Sequence, residues 1–330
     1  MKKTFVLLTL TLMFIGALTF EAAGAVQLRF SHAGPSTSTW QAGAEKFVEL
    51  IRAGTGDKFE ITIFPLDELS GGSQVGGIEL VQTGVTDIHL QDALVWSAVA
   101  KKSVVPCFPW LLPTYEDVDR CMKGEGGAAL KAVLNEADVV CLAIGENGYR
   151  QVVNNRNPIM SPEDMQGLKI RVPGSSVHVS LLKYIGADPL TMNQSEVYTS
   201  LQQGTIDASE NTLDLLYTQK TLEVVKYLSL WNYSYDPLYL SVSQELWDSL
   251  NDAEKAVFQS AADEAMAYQV KITREKNEAL QKQLGEYRLD VVPSLTPEQV
   301  QAFQKAVAPV YQDYREQFGE EMFSKFGYKF

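Results

Sequence analysis

The sequence predicts an α/β protein of two lobes facing a cleft, and three observations carry that prediction. Short apolar runs alternate with helix-length amphipathic segments through most of the 330 residues. A seven-residue pattern, apolar-Gln-x-Gly-x-x-Asp, occurs at Val81–Asp87 and again at Leu201–Asp207. The stretch Asn251 to Leu284 contains neither Pro nor Gly, so it reads as one helix longer than a single lobe is wide.

The first 25 residues stand apart from the fold. Lys2 and Lys3 precede an uncharged run from Phe5 to Phe20, and Ala23-Gly24-Ala25 offers the small residues that a signal peptidase needs. The run is too short to span a bilayer, so 1–25 is expected to be a cleaved leader for export to a bacterial periplasm. Beyond it, Val26–Phe30 alternates with a period of two and reads as a strand. Trp40–Arg52 follows as a helix with Ala44, Phe47, Val48 and Ile51 on one side. Phe59–Phe64 is the next strand, stopped by Pro65. Helix-then-strand units follow at 78–83 and 87–91, at 126–137 and 139–144, and at 176–185 and 189–192. Strands spaced by helices of this length imply parallel pairing through crossovers.

The repeated pattern adds a site to this frame. Each copy ends a helix at a Gly suited to a left-handed stop and enters a short strand. Those strands deliver Gln91 and Asp92, and Glu210 and Asn211, to their carboxyl ends, where open α/β sheets present ligand-binding groups. In the long helix, Asn251 with Glu254 three residues on forms a capping signal, and Gly285 stands at the far end as a stop.

Composition and charge narrow the function. With 45% hydrophobic and 21% charged residues the chain is globular rather than disordered. Its formal charge of −13, or −14 once Lys2, Lys3 and Glu21 leave with the leader, disfavours nucleic acid and anionic membranes. An anionic ligand must then be captured by local guanidinium groups. Cys107, Cys121 and Cys141 allow one disulfide or three buried thiols, and the sequence leaves both open.

Catalytic and metal motifs are scarce. Gly124–Ala129 matches G-x-G-x-x-A, but no strand leads into it, so it reads as a helix start. No G-x-S-x-G elbow occurs. His32, His89 and His178 lack metal-ligand spacing, and Asp117 with Asp119 suits a solvated helix start. No metal and no cofactor are expected. What remains is a pair of arginines, Arg150 and Arg171, each in a β-branched, strand-like stretch. A guanidinium there needs a carboxylate, supplied either by a ligand or by an internal acid such as Asp188 or Glu210.

The runs Gly167-Leu168-Lys169-Ile170-Arg171-Val172-Pro173-Gly174-Ser175, Gly186-Ala187-Asp188-Pro189, Ser195 to Gly204 and Asp207-Ala208-Ser209-Glu210-Asn211 resemble the solute-binding proteins of TRAP transporters, of the DctP type. The likeness extends over the rest of the mature chain through Phe30–Gly34, Tyr149-Arg150-Gln151 and Asp236-Pro237-Leu238-Tyr239. The resemblance implies a periplasmic binding protein that closes around a small carboxylate and delivers it to membrane permease subunits. It also implies that Arg171 pairs with the ligand carboxylate, Arg150 adds a second cationic contact, and Asn211 gives an amide hydrogen bond. Asp92 and His32 then look like the opposite wall. Gln194 stands where many relatives carry Phe, and Trp231-Asn232-Tyr233 also departs from the usual pattern. Gln194 and Trp231 are therefore added to the candidate site, and dicarboxylates, sugar acids and aromatic acids all stay open as ligands.

The expected organisation is one lobe from 26–147 with about 237–276, and a second from 148–236 with about 277–330. The chain is expected to act as a monomer without enzymatic activity. The rival readings are a ligand-sensing module, or a periplasmic enzyme using Asp92 or Glu210 as a base.

Overall fold

A computed structural model describes residues 24–330, so positions 1–23 of the expected leader lie outside the described residues. The chain opens with β1 (Val26–His32), α1 (Thr39–Thr55), β2 (Phe59–Phe64) and α2 (Gln74–Gln82). Ser38 and Ser73 cap the two helices by accepting backbone N–H groups in the first turn. β3 (Ile88–Asp92), α3 (Ala93–Trp96), α4 (Tyr115–Met122) and α5 (Glu125–Asn135) lead into β4 (Val139–Asn154). The G-x-G-x-x-A segment is a helix start, with Gly124 as the N-cap of α5. Then come β5 (Lys169–Val172), α6 (Ser176–Tyr184), β6 (Asp188–Thr191), α7 (Val197–Gln203), β7 (Ala208–Thr212) and α8 (Leu213–Thr218). The last part contains β8 (Tyr227–Ser229), β9 (Tyr235–Ser243), α9 (Gln244–Ser249), α10 (Asp252–Gln283), β10 (Asp290–Val292), α11 (Pro297–Phe318) and α12 (Glu320–Ser324).

The strand order is β2-β1-β3-β9-β4-β7-β5-β6, with β8 beside β4 and β10 beside β8. β1 pairs in parallel with β2 and β3, and β5 with β6 and β7, as the helix-spaced strands imply. Wholly parallel pairing is corrected, however. β9 runs antiparallel to β3 and β4, and β4 antiparallel to β7 and β8. The reason is connectivity: β4 and β9 are not neighbours within one βα unit, and β4 passes from one wing of sheet, where it pairs with β9, to the other, where it pairs with β7 and β8. Val139–Tyr149 of β4 pair with β9, whereas Arg150–Asn154 pair with β7. Just before this switch, within the β9-paired half, the ladder slips at Glu146/Gly148, and Gly148 takes up the slip at φ +111.

The repeated pattern folds as its glycines dictate. Gly84 and Gly204 stand at φ +73 and +71 after α2 and α7, and β3 and β7 follow. α10 runs for 32 residues, or about 48 Å at 1.5 Å per residue, from an Asn251–Glu254 capping box. It ends at Gln283 and tightens into a 3₁₀ turn over Leu284–Glu286, around the Gly285 expected as its stop. The helix packs on α1 in one wing, along β4, and on α8 in the other.

Three apolar clusters hold this frame. Phe30, Phe47 and Phe258 join β1, α1 and α10 through edge-to-face contacts at ring separations of 6.0 and 5.9 Å. A larger cluster gathers Trp96, Phe108, Val172, Leu181, Phe303 and Tyr311, and a smaller one Val153, Leu201, Leu228 and Leu284. Each fully buried side chain of this size stabilises the fold by about 1.5–3 kcal/mol. Cys107, Cys121 and Cys141 are all free and buried, so the disulfide alternative falls away.

Candidate functional site

A small, nearly closed cavity lies between the wings, at the carboxyl ends of β1, β3, β5 and β7. Ala33, Trp40, Gln74 and Asp92 form one wall, and Arg150, Arg171, Pro173, Gln194, Asn211 and Leu215 the other. Five of the seven residues singled out in the sequence therefore meet here: Arg171, Arg150, Asn211, Asp92 and Gln194. His32 and Trp231 do not line it. His32 is fully buried at the end of β1 with Nε2 2.9 Å from Gln41 Oε1. Trp231 packs 4.7 Å from Phe303 and 5.4 Å from Tyr233, behind the wall.

The two arginines have opposite surroundings. Arg150 donates through Nε and Nη2 to the Glu210 carboxylate and through Nη1 to Asp236 Oδ2 at 2.6 Å. Tyr233 Oη donates to Glu210 Oε2 at 2.9 Å, and Asn147 Nδ2 to Asp236 Oδ2 at 2.9 Å. Arg150 is thus neutralised within the protein. Arg171, 1% exposed, donates through Nε to the Met192 carbonyl at 2.9 Å, through Nη1 to Gln194 Oε1 at 2.8 Å and through Nη2 to Gln74 Oε1 at 3.1 Å. Among the described residues no carboxylate forms an ion pair with it. Burial, reinforced by the nearby Arg150 charge, draws its pKa down to about 10.

The remaining polar groups surround Arg171. Gln194 Oε1 also accepts from Asn211 Nδ2 at 3.0 Å, which couples the α7 entrance to β7. Asp92 caps α3, its Oδ1 accepting from Val95 N–H at 3.0 Å. Burial raises the Asp92 pKa, with Arg150, the Val95 N–H and Arg171 opposing. Asp236, behind Arg150, is pushed up to about 7 by burial and by the Asp92 charge. Gln74, Trp40, Ala33, Pro173 and Leu215 were not singled out in the sequence. Gln74 is the first residue of a short helix after Gly71-Gly72-Ser73, and nothing local tells that its amide crosses the cleft to Arg171.

The family model for bacterial extracellular solute-binding proteins, family 7, the DctP family, matches residues 30–317. The 2,3-diketo-L-gulonate-binding periplasmic protein of Escherichia coli K12 is 30% identical over 281 residues, 85% of each chain. A TRAP periplasmic solute-binding protein from Polaromonas sp. JS666, solved with D-erythronate, superposes with a TM-score of 0.87 at 31% identity, covering 91% of this chain and 98% of that one. A second, from Sulfurospirillum deleyianum with succinate, gives 0.86 at 27% identity, covering 92% and 99%. The ligands named for these relatives are small carboxylic acids. By sequence and by fold alike, this chain belongs to the DctP family of TRAP-type extracellular solute-binding proteins.

Proposed function

We propose that the chain, exported after loss of residues 1–25, captures a small organic acid between two lobes through Arg171 and delivers it to the membrane subunits of a TRAP permease. The wing carrying Ala33, Trp40, Gln74 and Asp92 acts as one lobe and the wing carrying Arg171, Gln194 and Asn211 as the other. One observation carries the reading: Arg171 is a fully buried guanidinium whose donors meet only amide and carbonyl oxygens. A buried cation without a counter-ion costs several kcal/mol, so folding alone does not account for it, whereas a bound carboxylate would offset that cost. The planar fork suits bidentate contact, and amides that hold it now can turn to the ligand as the carboxylate docks. Removal of water on closure strengthens the ion pair.

His32 and Trp231 then serve as support: His32 fixes the end of β1, and Trp231 buttresses Tyr233, which holds Glu210. Glu210 bound to Arg150 is a poor general base, which favours binding over turnover.

Calorimetry with a panel of small organic acids tests this. Arg171→Ala should weaken the best-bound acid by roughly 100-fold or more while leaving the melting temperature unchanged or higher. Arg150→Met should instead lower stability by about 3–5 kcal/mol, because Glu210 and Asp236 lose their counter-charge. Unchanged affinity in Arg171→Ala would refute the assignment.

A further inference from the structure

Asp92 stands across the cavity from Arg171 with half of its carboxyl group uncommitted. It is 5% exposed and lines the cavity. Oδ1 is occupied by Val95 N–H, but Oδ2 accepts from no group among the described residues. The charges buried around the cavity are Arg150 and Arg171 against Asp92, Glu210 and Asp236, each 5% exposed or less. With all of them ionised the cluster is already negative by one charge. Arg150 is spoken for by Glu210 and Asp236, which leaves Arg171 as the cationic end of the cavity and Asp92 as the anionic end.

We propose that Asp92 is a selectivity filter: it directs the site to monocarboxylates that carry a hydroxyl away from the carboxylate, and turns dicarboxylates away. The proposal rests on Arg171 as the carboxylate anchor. A hydroxyl at the far end of such a ligand donates to Asp92 Oδ2 and supplies the donor that this oxygen lacks. A second carboxylate at the same place meets a like charge in a cavity stripped of water, and it brings no proton to donate. The amides of Gln74, Gln194 and Asn211 serve hydroxyls along the chain between the two ends. Relatives of nearly equal structural similarity hold erythronate and succinate, so the fold by itself does not make this choice.

The test compares matched four-carbon acids, D-erythronate and succinate, flanked by shorter and longer members of both classes, in calorimetry at pH 8. Wild-type protein is expected to bind its best hydroxy monocarboxylate roughly 100-fold tighter than the dicarboxylate of equal length. Asp92→Asn keeps an acceptor for Val95 N–H, since Asn caps helices as well as Asp, so a melt matching wild type verifies the fold. In that variant the preference is expected to narrow at least tenfold, mainly through tighter binding of the dicarboxylate. Equal or tighter dicarboxylate binding by wild type, or an unaltered preference in Asp92→Asn, overturns the filter while leaving the Arg171 anchor standing. Failure of every acid of both classes to bind wild type overturns the anchor and the filter together.

Discussion

Arg150 and Arg171 flank β7 from its two sides, yet one is saturated by carboxylates and the other by amides and a carbonyl. On the proposed reading, that asymmetry leaves Arg150 held by the protein's own acids and Arg171 free to meet a ligand. A third buried group near them, His178, titrates in the opposite sense to the acids. Its ring lies 6.0 Å from that of Tyr233 and has no hydrogen-bond partner among the described residues, and the charges of Glu210 and Arg150 act on it from β7 and β4. Burial lowers its pKa from 6.5 to about 4. The unfolded chain takes up this proton below pH 6.5 and the folded chain only below about 4. The contribution to stability is therefore complete above 6.5 and is lost as the pH falls towards 4. At pH 5 it amounts to about 2 kcal/mol lost. His178→Gln, which cannot titrate, is expected to lose that much less between pH 7.5 and 5 in urea unfolding. Equal losses in variant and wild type would refute the assignment.

Among the elements, α10 and β4 carry the connection between the wings. Where the β4 ladder slips, Gln269 of α10 takes the place of the missing strand: its Oε1 accepts from Glu146 N–H at 2.9 Å and its Nε2 donates to the Glu146 carbonyl at 2.8 Å. Gly43 of α1 makes room for this contact, since a Cβ there would stand 2.7 Å from Gln269 Cγ. Gln269→Leu leaves two buried backbone groups of Glu146 without partners, and a stability loss of at least about 2 kcal/mol is expected in urea unfolding. A loss below half of that would place the burden elsewhere. The capping box that starts α10 could be read from Asn251 and Glu254, because a cap needs only residues three apart. Its role as a substitute strand could not, because Gln269 and Glu146 are 123 positions apart.

For the molecule as a whole, the proposed function requires closure of the wings about β4, β9 and α10. Saturating ligand is expected to reduce the radius of gyration in small-angle scattering and to raise the melting temperature in proportion to occupancy. A rise in melting temperature with no change in radius would mean that the wings do not move. The α/β class, the two helix-stopping glycines, the start of α10 and the family were all legible in the chain. Each depends on residues near one another in sequence, where backbone sterics, capping geometry and contiguous motifs operate. Tertiary structure alone decided which charges meet. The sheet order brings Asp236 to Arg150 across 86 positions and Gln74 to Arg171 across 97. No local pattern encodes such pairings, because they depend on which strand ends the antiparallel crossing of β4 and β9 sets side by side. The same arrangement placed His32 and Trp231 outside the cavity wall, and left Arg171 and Asp92 to face each other across it.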